Sequence, residues 1–300
     1  MSDNDDIIMT VANDNMADDM VLPFSLESSA LRGRIVRLGY VLNEILTPHK
    51  LDDRVAKVLG ECLAAAVLFA SVIKYDGIFT LQIQGDGAVP LLVVDINSAG
   101  ELRGYARADQ SLPKKKTLNI IELVGKGHIA FTVDQGVGED RYQGIVPLEG
   151  ENFEAMCQNY FEQSEQVKTS FRIGVDKVGG QWRAGGVMIQ KMPDEGGLEV
   201  VDSTKNAEDW DRGSILLQSV KDEELTDIDM PAEDLLYRLF HEEGVRIYST
   251  QGITKGCRCS NEKLERVLST LSDEDRAECV KDGAITMTCE FCAKDWVFKA

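Results

Sequence analysis

Four cysteines near the C-terminal end constrain this chain more than any other feature. They stand in two close pairs, Cys257-Arg258-Cys259 and Cys289-Glu290-Phe291-Cys292. Two such pairs on separate turns can clamp one metal ion tetrahedrally. Zinc is soft enough to prefer thiolates, and its structural sites are four-coordinate. The first pair is tighter than the common two-residue gap, so this is not a standard zinc ribbon. Four thiolates leave no open position for water or substrate, which argues against zinc catalysis. The segment from Arg246 to Ala300 is roughly 55 residues long. At that size a core alone is marginal, and a metal often supplies the rest. The reading is one zinc per chain on Cys257, Cys259, Cys289 and Cys292; the plain alternative is four unpaired thiols that cluster by chance.

Cysteine usage and charge bear on compartment and partners. Five of the seven cysteines fall within the last 44 residues. An odd count clustered this way does not make a secreted disulfide framework and suits a reducing cytosol. Cys62 and Cys157 sit in apolar helical patterns and read as core; Cys279, alone between the pairs, reads as an ordinary helix cysteine. The formal net charge is -19 and the pI is near 4.6. That balance disfavours nucleic acid, where Lys and Arg must replace counterions, and an anionic membrane surface. The apolar run Ala64 to Ile73 falls short of the roughly 20 residues a spanning helix needs. Asp3, Asp5, Asp6, Asp14, Asp18 and Asp19 crowd the N-terminus, with no Lys or Arg in the first 20 residues. This lacks the basic start and apolar stretch of a secretory signal and predicts a disordered acidic tail over residues 1–21 in a soluble, cytoplasmic protein.

Hydrophobic periodicity predicts an α+β core over 22–197. Leu31 to Arg37 suggests a strand and Gly39 to Leu46 a short helix. Asp52 to Lys74 reads as a long helix, with Val55, Val58, Leu59, Cys62, Leu63, Ala66, Val67 and Ala70 at helical spacing. Phe79, Leu81 and Ile83 alternate with polar neighbours, as in a half-buried strand. Further strands are expected at Leu91 to Ile96, Leu102 to Ala106, Ile129 to Val133, Tyr142 to Leu148, Ser170 to Val175 and Gly186 to Met192, with a helix over Asn152 to Ser164. Strands that come in runs favour α+β over a doubly wound sheet. Asp194-Glu195-Gly196-Gly197 marks a break. From Ala207 to Val245 there are 12 acidic residues against Arg212, Lys221 and Arg238. Two apolar helical patches survive there: Ile215, Leu216 and Val220, then Leu235, Leu236, Leu239 and Phe240. This predicts an acidic helical linker over 198–245, able to dock on a surface but without much core. Residues 246–300 complete the chain as a small zinc-binding module with nine basic and nine acidic residues between Arg246 and Lys299.

With the cysteines, several segments carry a resemblance. They are Leu81-Gln82-Ile83-Gln84-Gly85-Asp86-Gly87, Arg141-Tyr142-Gln143-Gly144, Tyr160 to Gln166, Ala184-Gly185-Gly186 and Leu239-Phe240-His241-Glu242-Glu243. In order and separation they resemble the 33-kilodalton heat-shock protein family of redox-regulated bacterial chaperones, over roughly Leu22 to Ala300. The acidic tail departs from the pattern. The resemblance implies a holdase without catalytic residues, inactive when reduced and zinc-bound. It implies that oxidation releases zinc and forms the disulfides Cys257–Cys259 and Cys289–Cys292. The oxidised form is then expected to unfold its linker, to dimerise, and to bind unfolded or partly folded client proteins without ATP.

In this reading Leu216, Val220, Leu235 and Leu239 form a latch over an apolar surface of the core. The enzyme alternative is a thiol-disulfide oxidoreductase using Cys289 and Cys292, which wants its motif at a helix start after a strand. A nucleic-acid-binding zinc finger is disfavoured by the balanced charge of the last module. His241-Glu242-Glu243-Gly244-Val245 lacks the second histidine of a zinc protease helix, and Gly136-Val137-Gly138 lacks the third glycine of a dinucleotide loop.

Overall fold

The computed structural model describes residues 18–108, 112–136, 141–150, 152–192, 203–281 and 283–299; the side chains of 203–206 lie outside that description. The core contains strands β1 (Met20–Leu26), β2 (Leu31–Leu38), β3 (Ile78–Gly85), β4 (Leu91–Asn97), β5 (Glu101–Arg107), β6 (Gly127–Asp134), β7 (Tyr142–Pro147), β8 (Thr169–Val178) and β9 (Gln181–Lys191). Short strands β10 (Val245–Ile247), β11 (Gln251–Gly252) and β12 (Thr254–Lys255) follow the linker, and β13 (Ala284–Thr288) pairs with β14 (Asp295–Lys299). One sheet runs β10-β1-β2-β9-β8, with β11 also on β1; the second runs β12-β5-β4-β3-β6-β7. Runs of antiparallel strands confirm the α+β class expected from the sequence.

The helices are α1 (Tyr40–Leu46), α2 (Asp53–Ala70), α3 (Ile120–Val124), α4 (Phe153–Tyr160), α5 (Ser203–Gln218), α6 (Asp222–Thr226), α7 (Ala232–Phe240), α8 (Asn261–Leu268) and α9 (Asp273–Glu278). Helix α2 explains the architecture. Asp52 caps it by accepting from the Arg54 N–H, and Val55, Leu59, Cys62, Leu63, Ala66 and Phe69 are buried along it. Ala64, Ala65, Val67 and Leu68 are buried too. From Cys62 to Ala70 the helix is apolar and buried all round, as befits an interior position, and α2 packs against β2, β8 and β9 on one side and β3, β4 and β5 on the other. The main core therefore lies between the two sheets. Phe69 is its aromatic centre, edge-on to Phe131, Phe161 and Phe171 at 5.1–5.6 Å. The helix ends at Ala70 rather than Lys74, where the Ser71 hydroxyl donates to Leu68 O at 2.6 Å.

The first sheet is covered on both faces. Its strands alternate, so Val21, Val36 and Leu38 face α2 while Leu22, Phe24, Ile35, Val187 and Ile189 face outward. The linker helices α5, α6 and α7 cover this outward face with Leu217, Val220, Leu225, Leu235, Leu236, Leu239 and Phe240.

The structure moves two expected boundaries. Asp18 to Val21, assigned to the tail, are built into the fold. Asp19 accepts from the Gly39 and Val41 N–H groups at 2.8 and 3.1 Å, and Met20 and Val21 start β1. An aspartate at a helix start meets unpaired N–H donors, which composition alone does not reveal. Residues 246 to 255, assigned to the zinc module, instead contribute edge strands to both core sheets. The predicted helix to Ser164 changes at Phe161 into a π-helical turn over Phe161–Glu165. Strands β8 and β9 are longer than expected because they form one hairpin. The break at Asp194 to Gly197 lies outside the described residues.

Candidate metal centre

Two turns deliver the four cysteines. Strand β12 runs parallel to β5, and the Gly256 N–H donates to Leu102 O at 2.9 Å, which fixes the entry to Cys257. Ser260 then caps α8 by accepting from the Lys263 N–H, ending the first turn after Cys259. Cys289 and Cys292 lie in the turn between β13 and β14. There the Cys289 N–H donates to Lys294 O at 3.0 Å and the Ala293 N–H donates to Cys289 O at 2.8 Å. Ala293 takes the left-handed conformation that closes this turn, φ 55°.

The four sulfurs lie within 4.8 Å of one another. Cys257 to Cys259 is 3.4 Å, Cys259 to Cys292 3.6 Å and Cys257 to Cys289 3.7 Å. A tetrahedron with bonds of about 2.3 Å has edges of about 3.8 Å, so the group has the size of a zinc tetrathiolate. The separations far exceed the roughly 2.05 Å of a disulfide, and all four cysteines are free. Burial opposes ionisation of Cys257, but the Cys259 backbone N–H and the neighbouring thiols outweigh it and bring its thiol down to about 7. Burial and then the Cys257 thiol push Cys259 up to about 12, and burial also raises Cys292. Negative charges on sulfurs this close repel one another, and a cation among them would offset that repulsion. The residues therefore fit a metal ion by donor type and spacing.

The centre is docked on the second sheet. Phe291, between the second pair, has the Arg103 guanidinium over its ring at 3.7 Å and Tyr105 edge-on at 4.8 Å. His49 Nε2 donates to Phe291 O at 3.2 Å, and Arg107 pairs with Glu290 at 3.0 Å. Asp95, buried on β4, takes Arg103 at 2.6 Å, the Thr80 hydroxyl at 2.7 Å and also Arg258, which stands between the first two cysteines. Arg258 and Phe291 thus hold both cysteine turns to the core. The motif reading singled out neither, because their partners lie far away in sequence.

The predicted linker residues are not at the cysteines. Val220, Leu235 and Leu239 are buried on the first sheet, and Leu216 is half-buried there. Leu217 is fully buried and Ile215 is 71% exposed, so the buried stripe of α5 is rotated from the predicted one. Arg37 and Arg183, also missed, hold linker carbonyls from below. Cys62 and Cys157 are buried in the core and Cys279 is exposed. Cys289 and Cys292 occupy a hairpin turn, without the helix start that lowers a catalytic dithiol's pKa. Among the described residues, no helix is long and apolar enough to cross a membrane.

Comparisons with known proteins agree over nearly the whole chain. The family model described as Hsp33 protein matches residues 19–299. The chain is 38% identical over 287 residues to the 33 kDa chaperonin of Caulobacter vibrioides (strain NA1000 / CB15N), covering 92% of this chain and 93% of that one. It is 36% identical over 283 residues to the 33 kDa chaperonin of Escherichia coli (strain K12 / DH10B), covering 94% and 92%. A crystal structure of the 33 kDa chaperonin (Heat shock protein 33 homolog) of Thermotoga maritima shares the fold, with TM-score 0.79, 24% identity and coverage of 94% and 95%.

Proposed function

Because the chain belongs to the Hsp33 family, we propose that it is a redox-regulated, ATP-independent chaperone that holds unfolding proteins and is silent while its four cysteines are reduced and carry zinc. The four-sulfur cluster at tetrahedral spacing is the observation that carries this reading.

When bound, zinc would supply a four-coordinate anchor and keep the four sulfurs as thiolates, the oxidisable form. Cys257 and Cys259 then join in one disulfide, and Cys289 and Cys292 in another. Each pair of thiolates gives up two electrons as its S–S bond forms, and one hydrogen peroxide takes them up with two protons from solvent, its O–O bond breaking to give two waters. The module around the cysteines has little else to hold it: Leu268, Ile285 and Phe298 are its buried apolar residues among those described. Its turns then release Phe291 and Arg258 from the second sheet. Strands β10 and β11 connect the turn after α7 to the cysteine module and pair with β1 at the edge of the first sheet. Losing the module loosens these strands and the linker, and Leu22, Phe24, Ile35, Val187 and Ile189 become open to clients. Val220, Leu235 and Leu239 are the latch residues in this scheme, with Leu216 at its edge. A homodimer in the oxidised form and a cytoplasmic location belong to the same proposal.

The test follows zinc release and aggregation suppression together. Reduced protein is treated with peroxide at heat-shock temperature. Zinc is read with a chromogenic chelator, and a heat-denatured client is followed by light scattering. About one zinc per chain, with suppression only after its release, is the expected result. Zinc retained, or lost without any gain in suppression, removes the proposal.

A further inference from the structure

The linker is held to the first sheet by its backbone as well as by its leucines. Arg37, on β2, is only 2% exposed. Its Nη1 donates to Leu225 O at 2.7 Å and Asp227 O at 3.2 Å, and its Nη2 donates to Met230 O at 3.1 Å. Arg183, next to it on β9, donates from Nε to Thr226 O at 2.9 Å and pairs with Asp18 through both terminal nitrogens. Among the described residues, the Arg37 side chain hydrogen-bonds only to linker carbonyls. Burial and then the Arg183 charge lower its pKa to about 10, which still leaves it cationic at neutral pH.

The floor beside these arginines is bare. A Cβ on Gly185 would lie 2.0 Å from Leu225 O, and one on Gly174 would lie 3.0 Å from the Asp222 Cα. Backbone, not side chain, therefore approaches the sheet here. A guanidinium offers five N–H donors and no acceptor, so it needs oxygen partners wherever it is buried. When the linker leaves, the Arg37 side chain loses all three of its carbonyl partners, and Arg183 loses its Nε partner while keeping Asp18. Every polypeptide carries carbonyls whatever its sequence, and an unfolded one has them free.

Resting on the chaperone reading above, we infer that Arg37, Arg183 and the Gly174–Gly185 floor form a backbone-reading site that the linker fills in the reduced protein and an extended segment of unfolded client fills after the linker departs. The linker is then a built-in competitor, held by the same carbonyl contacts. Sequence-independent carbonyl capture beside the apolar Ile35 and Val187 accounts for a site that accepts unrelated clients.

The test uses full-length protein with Arg37→Gln and Arg183→Gln together, and reduced, carboxymethylated α-lactalbumin as a permanently unfolded probe. Two opposite changes are expected. The reduced variant suppresses aggregation without oxidant, because its linker is held less well. The oxidised variant binds the probe about tenfold more weakly, the loss of about 1.4 kcal/mol. Gain in the reduced form with unchanged affinity in the oxidised form makes the arginines a latch only and overturns the inference. Oxidised wild type that binds no probe removes the chaperone reading itself. Where the variant does not fold by circular dichroism, the decision passes to oxidised wild type and a peptide of residues 219–232. The peptide should displace the probe, and a form with ester linkages after Leu225 and Asp227, which weaken those carbonyls as acceptors, should compete about tenfold less well. Equal competition by the two forms overturns the inference.

Discussion

Helix α2 lies between two sheets with Leu59, Cys62, Leu63 and Phe69 sealed from solvent, while the C-terminal module closes on Leu268, Ile285 and Phe298. The first region is held by apolar burial, which no oxidant removes. The second has a small core, and its two cysteine turns have sulfur atoms where a larger domain would have leucines. The linker stands between these cases: it is well packed, but on another domain's sheet. A switch belongs where stability is supplied by groups that chemistry can change. Under the proposed function, this difference would make the C-terminal module the sensor and the core the constant part.

The largest effect is expected from removing the proposed metal ligands. Structural zinc is worth roughly 10–16 kcal/mol in small peptides at neutral pH, more than so small a core can replace. Cys289→Ser, or a strong chelator, should abolish amide protection over residues 257–299 and leave α2 protected in hydrogen exchange. A module that stays protected without metal would break the contrast between the two regions. Phe69→Ala comes next, with a cost of about 3–5 kcal/mol from lost aromatic packing and the cavity left behind. Urea unfolding of the core should show it while zinc stays bound; zinc loss before core unfolding would mean the two regions are not independent.

Gly185→Val should act on the linker alone. Its side chain would enter the space of Leu225 O, an overpacking that typically costs about 1–3 kcal/mol. Faster hydrogen exchange over Asp222–Met230, together with suppression in the reduced protein, is the expected outcome. Normal exchange there would show that α6 does not need the bare floor.

The smallest effect concerns Glu61, half-buried on α2. Burial, and then Glu154, push its carboxyl up to about 7. An unfolded glutamate titrates near 4.3, so the native state holds a proton that the unfolded state releases. The stability linked to this proton is complete below pH about 4 and is lost as pH rises through about 7. Glu61→Gln should therefore raise the urea midpoint at pH 8 and change it little at pH 4. An equal gain at both would assign the effect to packing rather than to charge.

Legibility in the sequence followed the range of the interaction. The cysteine pairs were readable because ligands two or three residues apart share one turn. Helix α2 and strand β3 were readable because burial repeats at a local period, and the α+β class followed from them. Strands β10 to β12 were not, since two or three residues carry no period and their partners are far away in sequence. Leu217 was passed over for Leu216 because docking, not the helix, chooses which stripe of a weakly amphipathic helix is buried. Ala184-Gly185-Gly186 was visible as a motif, but its use appears only where Leu225 O approaches Gly185.

By itself, then, the sequence determined the four-sulfur site, the apolar helix that must lie inside, and an acidic linker with leucines to hide. These depend on side-chain chemistry and on neighbours a few residues away. Only the tertiary structure decided what the linker lies on, which cations hold it, and how the cysteine turns reach the core. Arg37 meets Leu225 across 188 positions and Arg258 meets Asp95 across 163. Such contacts exist only once two sheets have brought distant strands together, and no local pattern records them.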